Sequence, residues 1–164
     1  MNVDWSTQHC GVHRASFKQF TRSMSQVANE VLKTFPENVR DFTWDVKVHM
    51  LMPNQYPCIP NWHFDNIPRV NNAQDWGQVK THLPMYLWIS GEPLTEFRKG
   101  GKIAAGTWHR FTQKDEHRGT MSEDFQWRGF IRATHKDILP ANPSGTNPLR
   151  RHSQVYLDAQ NFSW

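Results

Sequence analysis

The tripeptide His63-Phe64-Asp65 carries the residue types and spacing of a metal site. On an extended segment, side chains two residues apart point to the same side, so one imidazole nitrogen and one carboxylate oxygen can meet at a single ion. A third ligand must come from elsewhere, and His109, 46 positions later (109 − 63) at the end of a predicted strand, is the best candidate. Two histidines and one carboxylate leave coordination positions open, an arrangement typical of Fe(II) sites that react with oxygen.

Two arginines in a predicted strand could hold an acidic ligand. Arg128 and Arg132 are four residues apart, so both side chains face the same way on a strand. An arginine inside a barrel requires an anionic partner, because a buried lone charge is very costly. A guanidinium binds a carboxylate through two parallel hydrogen bonds, which a dicarboxylate such as 2-oxoglutarate would provide. The sequence leaves open whether either arginine instead faces solvent or pairs with an acidic residue of the chain.

Other residues compete for a role in metal binding. His117 is an alternative third ligand, but its polar surroundings favour a solvated histidine. The segment His9-Cys10-x-x-His13 has metal-like spacing, yet it has no fourth ligand nearby of the kind that structural zinc sites require. A His-x-Asp pair can also be a hydrogen-bonded surface pair, so the third ligand decides whether the site exists.

The positioning elements begin with a helix. From Ser16 to Phe35, apolar residues recur at spacings of three and four, which predicts one amphipathic helix that packs on a sheet. Ser16 can cap its first turn, and Pro36 ends it.

After this helix the apolar period changes to two, which predicts strands. The longest is half-buried and covers residues 42–52, with His49 on its polar face. Shorter strands are predicted at 82–90, 103–111, 125–134 and 154–158, and the polar stretch 112–123 is predicted to be a loop. One helix followed by about six strands is typical of a sandwich or barrel. We therefore expect one domain over residues 1–164, with the helix at 16–35, a β-barrel core at 42–134 and a C-terminal loop and short strand at 140–164.

Composition excludes several classes of protein. The chain has 164 residues, and no stretch approaches the ~20 apolar residues of a membrane span. Two cysteines are too few for a disulfide framework, and no signal peptide is apparent, so we expect a cytoplasmic protein. The net charge of +4 is spread over scattered basic residues, which permits contact with nucleic acid without requiring it.

The order of these features resembles the Fe(II)/2-oxoglutarate-dependent oxygenases, whose fold is a double-stranded β-helix of the cupin-like jelly-roll type. The resemblance covers residues 42–134 and is carried by three segments: Pro60-Asn61-Trp62-His63-Phe64-Asp65, Trp108-His109-Arg110 and the strand at 127–132.

The resemblance implies that His63, Asp65 and His109 bind iron and that Arg128 or Arg132 binds the far carboxylate of 2-oxoglutarate. In the family, whose iron is held by two histidines and a carboxylate, this basic residue often lies about ten positions after the distal histidine. Here the gaps are 19 (128 − 109) and 23 (132 − 109), and Arg118, which fits the shorter gap, falls in the predicted polar loop.

The resemblance predicts an oxygenase that hydroxylates an unidentified substrate, with Fe(II) as cofactor and 2-oxoglutarate as co-substrate. The short chain and the long arginine gaps motivate an alternative, a catalytically inactive barrel that serves as a binding or inhibitory module for a protein or nucleic acid. A third hypothesis is a cupin-type metal protein that does not use 2-oxoglutarate. The sequence does not choose between a small molecule, a nucleic acid and a protein as substrate.

Overall fold

A computed structural model describes residues 3–141 and 149–152 of the chain. The prediction of a mainly β protein with N-terminal helical structure is confirmed. Its helices are α1 (Phe17–Ser23) and α2 (Ser25–Val31), and 3₁₀ turns lie at Trp5–Thr7, Leu32–Thr34, Val39–Asp41 and Trp76–Gln78. The strands are β1 (Gly11–Ala15), β2 (Phe42–Leu51), β3 (Arg69–Val70), β4 (Ala73–Gln74), β5 (Met85–Ile89), β6 (Thr95–Phe97), β7 (Gly101–Lys102), β8 (His109–Phe111), β9 (His117–Gly119), β10 (Gln126–His135) and β11 (Leu149–His152).

The prediction of one continuous helix over residues 16–35 is wrong, because the helix breaks at Met24. Ser16 caps α1 as expected and forms a capping box with Gln19. Met24 has φ −136° and ψ 51°, outside the helical region, and its side chain is buried in the core. The break therefore lets two short helices, rather than one straight one, follow the sheet surface.

A six-stranded antiparallel sheet forms the centre of the fold, in the order β11-β1-β2-β10-β5-β8. Strands β2 and β10 lie side by side along their whole length. Their register places Arg132 opposite Asp45 and Arg128 opposite His49. This pairing brings the two candidate arginines to the same face as the polar residues of β2.

A second, three-stranded sheet has the order β7-β6-β9, and an isolated bridge joins His63 to His117 at its β9 edge. The two sheets remain separate over the residues that the structure describes, so they do not form the closed barrel that we expected. The expected loop at 112–123 contains strand β9, which is a further departure from the prediction.

Two apolar clusters lie on opposite faces of the six-stranded sheet. The outer cluster packs the helices and Trp5 onto the sheet through Phe20, Trp44 and Trp88, among others. The inner cluster joins β5 and β8 to β6 and contains Met85, Leu87, Ile89, Phe97, Ile103 and Phe111. The central strands are therefore covered on both faces.

The polar face of β2 is buried, although its alternating sequence predicts a half-buried strand. Asp45, Lys47 and His49 are each at most 6% exposed. They face inward beside the second sheet, whereas the polar face of a half-buried strand would be exposed to water. Buried charges of this kind must find partners or a ligand.

The remaining predictions concern the chain ends and membranes. Strand β11 supplies a short strand in the C-terminal region, whereas the strand predicted at 154–158 lies outside the described residues. Among the described residues, no helix combines the length and the apolar character that a membrane crossing requires.

Gly129 tests the close packing of the outer face. A Cβ atom at this position would lie 2.2 Å from the ring of Trp5, and Trp5 is itself buried in the outer cluster. We expect Gly129→Ala to lower the free energy of unfolding by about 1–3 kcal/mol, because a rigid indole would have to move. Urea denaturation measures the loss. Gly77→Ala is the control, since its nearest neighbour is the flexible end of Asp75, and equal losses in both variants would contradict this packing.

Candidate metal centre

His63, Asp65 and His117 form a group that could hold a metal ion, with one ligand atom from each residue and all three atoms within 4.8 Å of one another. The two imidazole rings lie against each other, with centroids 4.5 Å apart, and the Asp65 carboxylate faces the Nε2 atom of each. Its Oδ1 lies 3.8 Å from Nε2 of His63, and its Oδ2 lies 3.3 Å from Nε2 of His117. The His117 side chain is only 4% exposed, whereas Asp65 and His63 are 14% and 19% exposed, so the group is open on one side.

Backbone carbonyl groups orient both imidazole rings. Nδ1 of His63 lies 2.8 Å from the carbonyl oxygen of Asn61, and Nδ1 of His117 lies 3.1 Å from that of Asp115. A carbonyl oxygen only accepts hydrogen bonds, so each Nδ1 carries the hydrogen and donates it. Both Nε2 atoms are thereby turned toward Asp65. Histidines that bind metals are oriented in the same way by a hydrogen bond from the other ring nitrogen.

Backbone pairing and aromatic packing place the ligands. Reciprocal hydrogen bonds of 3.0 Å between the backbones of His63 and His117 bring the His-x-Asp segment to strand β9. The ring of Phe97 stacks on His117 at 5.0 Å, and Phe111 meets the same imidazole edge-on at 5.5 Å. These two apolar rings hold His117 on its inner side.

A chain of alternating charges ties Asp65 to the main sheet. Nη1 of Arg132 donates to Oδ2 of Asp65 at 2.6 Å, and Nη2 of Arg132 donates to Asp45 at 2.6 Å. Asp45 also accepts a hydrogen bond of 2.8 Å from Nε of Arg14 on β1. Two cations and two anions therefore alternate across three strands and end at a candidate ligand.

The alternating charges set the protonation states of His63, Asp65 and His117. Burial alone would raise the pKa of Asp65, but the charge of Arg132 and the hydrogen bond from His117 outweigh it and hold that pKa well below its usual range. Burial acts to lower the pKa of His117, yet the Asp65 carboxylate raises it overall. The pKa of His63 is lowered, chiefly by burial. Asp65 is thus a carboxylate at neutral pH, the form that binds a metal ion.

His109, the third ligand expected from the sequence, is not part of this group. Its ring contacts Phe97 at 4.4 Å, and Phe97 also contacts His117, so His109 lies one aromatic ring away from the three clustered residues. In the structure, His117 takes the place beside His63 and Asp65 that the sequence predicts for His109. The His9-Cys10-x-x-His13 segment belongs to no metal-binding group among the described residues.

The two candidate arginines have different surroundings. Arg132 is bound to two aspartates and is thereby neutralised within the chain. Arg128 is completely buried, and none of its three guanidinium nitrogens has a hydrogen-bond partner among the described residues. Burial lowers the pKa of Arg128 to about 10, which still leaves it charged at neutral pH. Of these two arginines, Arg128 is therefore the one without a hydrogen-bonded anion among the described residues, although the charge of Glu92 acts to raise its pKa.

The sequence favours His109 over His117 as the third ligand because the neighbours of His117 are polar. Those neighbours are paired with distant residues, Glu116 with Arg98 and Arg118 with Glu96, while His117 points to the interior. One signal could have found it. His117 lies 11 positions before Arg128 (128 − 117), close to the spacing that the family resemblance implies.

Asp45 provides a test of the charge chain. Asp45→Asn removes a buried anion that lies between two half-buried arginines, Arg14 and Arg132, so we expect the free energy of unfolding to fall by about 3 kcal/mol or more. Urea denaturation at pH 7 measures it. Asp41→Asn is the matched control, because Asp41 pairs with Lys136 at the surface and its loss should matter little. A loss of unfolding free energy in Asp45→Asn no larger than in the control would show that the chain of alternating charges does not stabilise the fold.

The lowered pKa of Asp45 also predicts that the stability of the protein depends on pH. Burial raises its pKa, but the charges and hydrogen bonds of Arg132 and Arg14 outweigh this and lower it overall. With the folded pKa below the unfolded value of about 3.9, the contribution is complete at neutral pH and is lost progressively as pH falls below about 5. Unfolding free energies measured from pH 7 to pH 3 should decline less steeply in Asp45→Asn than in the wild type. Parallel curves would contradict the lowered pKa.

Comparisons with protein-family models, with curated proteins and with solved structures found no match. Any function assigned to this chain must therefore be argued from its own geometry: the clustered His63, Asp65 and His117, and the buried, unpaired Arg128.

Proposed function

We propose that this protein is an Fe(II)/2-oxoglutarate-dependent oxygenase, in which His63, Asp65 and His117 bind the iron and Arg128 binds the far carboxylate of the co-substrate. The observation that carries the proposal is the convergence of two imidazole nitrogens and one carboxylate within 4.8 Å. The substrate that would be hydroxylated is not specified by this geometry.

The donor atoms fit the metal. Two imidazoles and one carboxylate, with one side of the group open, are the ligand set of non-haem Fe(II) oxygenases. His117, whose pKa is raised by Asp65, would have to release its Nε2 proton to bind a metal ion. Both rings have their Nδ1 atoms engaged by carbonyl oxygens, which leaves each Nε2 as the atom that would bind. Bound iron would supply a Lewis-acidic centre at which a keto acid and O₂ can react.

Arg128 suits the co-substrate better than Arg132 does. Arg132 already has two carboxylate partners, whereas Arg128 is a buried cation without one. The buried thiol of Cys58 lies within electrostatic range of both Asp65 and Arg128, since the charges of both act on its pKa. With His117 as the distal histidine, the gap of 11 residues to Arg128 also agrees with the family spacing of about ten.

The strand order supports a jelly-roll arrangement. The strands can be numbered with β2 as the first and the His63 segment as the second, leaving out the separate β3-β4 hairpin. In this numbering the main sheet contains strands one, eight, three and six, which are β2, β10, β5 and β8. The smaller sheet contains strands two, seven, four and five, which are the His63 segment, β9, β6 and β7. The chain thus alternates between two facing sheets, as in the double-sheet jelly rolls that include the cupins.

Within this proposal, the chain's own residues have separate roles. Arg132 keeps Asp65 ionised and fixes the direction of its carboxylate through Oδ2. Phe97 and Phe111 exclude water from the inner side of His117. Arg128 orients the co-substrate by its far carboxylate, because a guanidinium in a buried site forms strong, directional hydrogen bonds with that group.

An anaerobic titration of the metal-free protein with Fe(II) and 2-oxoglutarate tests the proposal. We expect a visible charge-transfer band that requires both additions. The band should be lost in His63→Ala and His117→Ala, because each removes a ligand, and kept in His109→Ala, which is the matched control.

The outcomes of this titration separate the hypotheses. Loss of the band in His109→Ala but not in His117→Ala would restore the ligand set expected from the sequence. Metal binding without any effect of 2-oxoglutarate would favour a cupin-type metal protein. No metal binding at all would refute the oxygenase and direct the search to binding partners.

A further inference from the structure

Four apolar residues lie together at one end of the six-stranded sheet, where three of them are open to solvent. Trp127 on β10 lies directly opposite Met50 on β2, and Phe125 and Met52 come immediately beyond the last paired residues of these two strands. Phe125 is 70% exposed, and Trp127 and Met52 are each 43% exposed. A contiguous apolar surface, unlike a single exposed residue, is typical of an interaction site. We call these four residues the end patch.

The end patch continues the outer face of the main sheet. On β10, Ala133 and Ile131 are buried in the outer cluster, and Gly129 is covered by the ring of Trp5. Trp127 is the next residue on the same face, because side chains two apart on a strand share a face. Over the residues that the structure describes, the cover of this face ends at Trp5. The face that packs helices elsewhere is therefore left without a covering element at this end.

The chain around the end patch is acidic, although the whole sequence has a net charge of +4. Four segments border the patch, and together they contain four acidic residues and no lysine or arginine. These segments are residues 3–13, 50–57, 90–94 and 119–127. Along β2 and β10, the nearest lysine and arginine are Lys47 and Arg128, which are both buried on the inner face. The outer face at this end is therefore negative.

The acidic side chains form a rim beside the apolar ones. Glu123 and Asp124 directly precede Phe125, and both are exposed. Glu92 belongs to the same end of the sheet, since its backbone nitrogen donates to the side chain of Gln126 at 3.2 Å. Apolar groups with a negative rim are complementary to a partner that combines apolar anchors with positive charges.

A helix suits this surface better than an extended strand does. Helices α1 and α2 already pack on the same face through the outer cluster. Methionine side chains adapt to irregular surfaces, and surfaces of methionine and aromatic residues accept amphipathic helices. Two strands and three positions along each cover roughly 5 Å by 7 Å. This area matches apolar side chains on successive turns of a helix, which are about 5.4 Å apart.

We propose that the end patch binds a basic amphipathic helix of a partner protein. Trp127 and Phe125 are the apolar anchors, and Glu123 and Asp124 select for lysine or arginine on the helix. The candidate metal centre lies on the other side of the main sheet, where Arg132 binds Asp65. The proposal is therefore independent of the oxygenase activity.

A fluorescent peptide of leucine and lysine, with leucines at helical spacings of three and four, tests the proposal by fluorescence anisotropy. We expect saturable binding to the wild type. The dissociation constant should rise by about tenfold or more in Trp127→Ser and in Phe125→Ser, because each removes an aromatic anchor. Trp76→Ser is the matched control and should bind as the wild type does, since Trp76 is 42% exposed but lies outside the end patch.

Charge reversal separates a role in binding from a role in folding. The double change Glu123→Lys and Asp124→Lys should weaken binding of the leucine-lysine peptide and strengthen binding of a leucine-glutamate peptide of the same pattern, each by about tenfold. A loss of folding would weaken both. The same double change at Glu30 and Asp137, two surface acids outside the end patch, is the control and should leave both affinities unchanged.

Several results would overturn the proposal. They are no saturable binding to the wild type, equal affinity in Trp127→Ser and Trp76→Ser, and equal affinity of the wild type for the basic and acidic peptides. A dimer in sedimentation velocity that Trp127→Ser dissociates would assign the end patch to a second copy of this chain. Binding to phosphatidylcholine vesicles that Trp127→Ser abolishes would assign it to a membrane surface. The peptide assay needs no metal ion, so failure of the iron titration does not affect it.

Discussion

Charges buried between two sheets constrain the rest of this structure. Arg14, Asp45, Arg132 and Asp65 alternate in sign and are joined by short hydrogen bonds, so each buried charge has an opposite neighbour. Removing any member would leave another uncompensated in a medium of low dielectric constant. The chain of charges therefore couples the packing of strands β1, β2 and β10 to the direction of a candidate metal ligand. The same hydrogen-bonded charges therefore stabilise the sheet and orient the candidate site.

The contrast between the two arginines follows from this arrangement. Both are on β10, four residues apart, and both face the interior. Arg132 lies opposite Asp45 and is satisfied within the chain, whereas Arg128 lies opposite His49, a neutral residue that cannot compensate its charge. One arginine is thus paired within the folded chain, and the guanidinium of the other has no hydrogen-bond partner among the described residues.

The sheet supports this polar interior because its other face is covered. The helices and Trp5 pack on the outer face through a continuous cluster of aromatic rings, in which Phe35 contacts Phe42, Trp44, Tyr86 and Trp108. Apolar burial is non-directional and can stabilise a fold whose inner face carries charged groups beside its own apolar cluster. Much of the aromatic content of the sequence lies in this outer core, while Phe97 and Phe111 pack against His117 at the candidate site.

Local patterns by themselves determined much of this protein. The cap at Ser16, the long strands β2 and β10, the shared face of Arg128 and Arg132, and the pairing of His63 with Asp65 all follow from spacings of two to four residues. Only the tertiary structure decided that His117 rather than His109 lies beside His63 and Asp65, that Arg128 rather than Arg132 has no hydrogen-bonded carboxylate among the described residues, and that the polar face of β2 is buried. Each of these outcomes depends on partners tens of residues away, such as Asp45 for Arg132 and His63 for His117, and sequence periodicity has no information about which distant residues will meet.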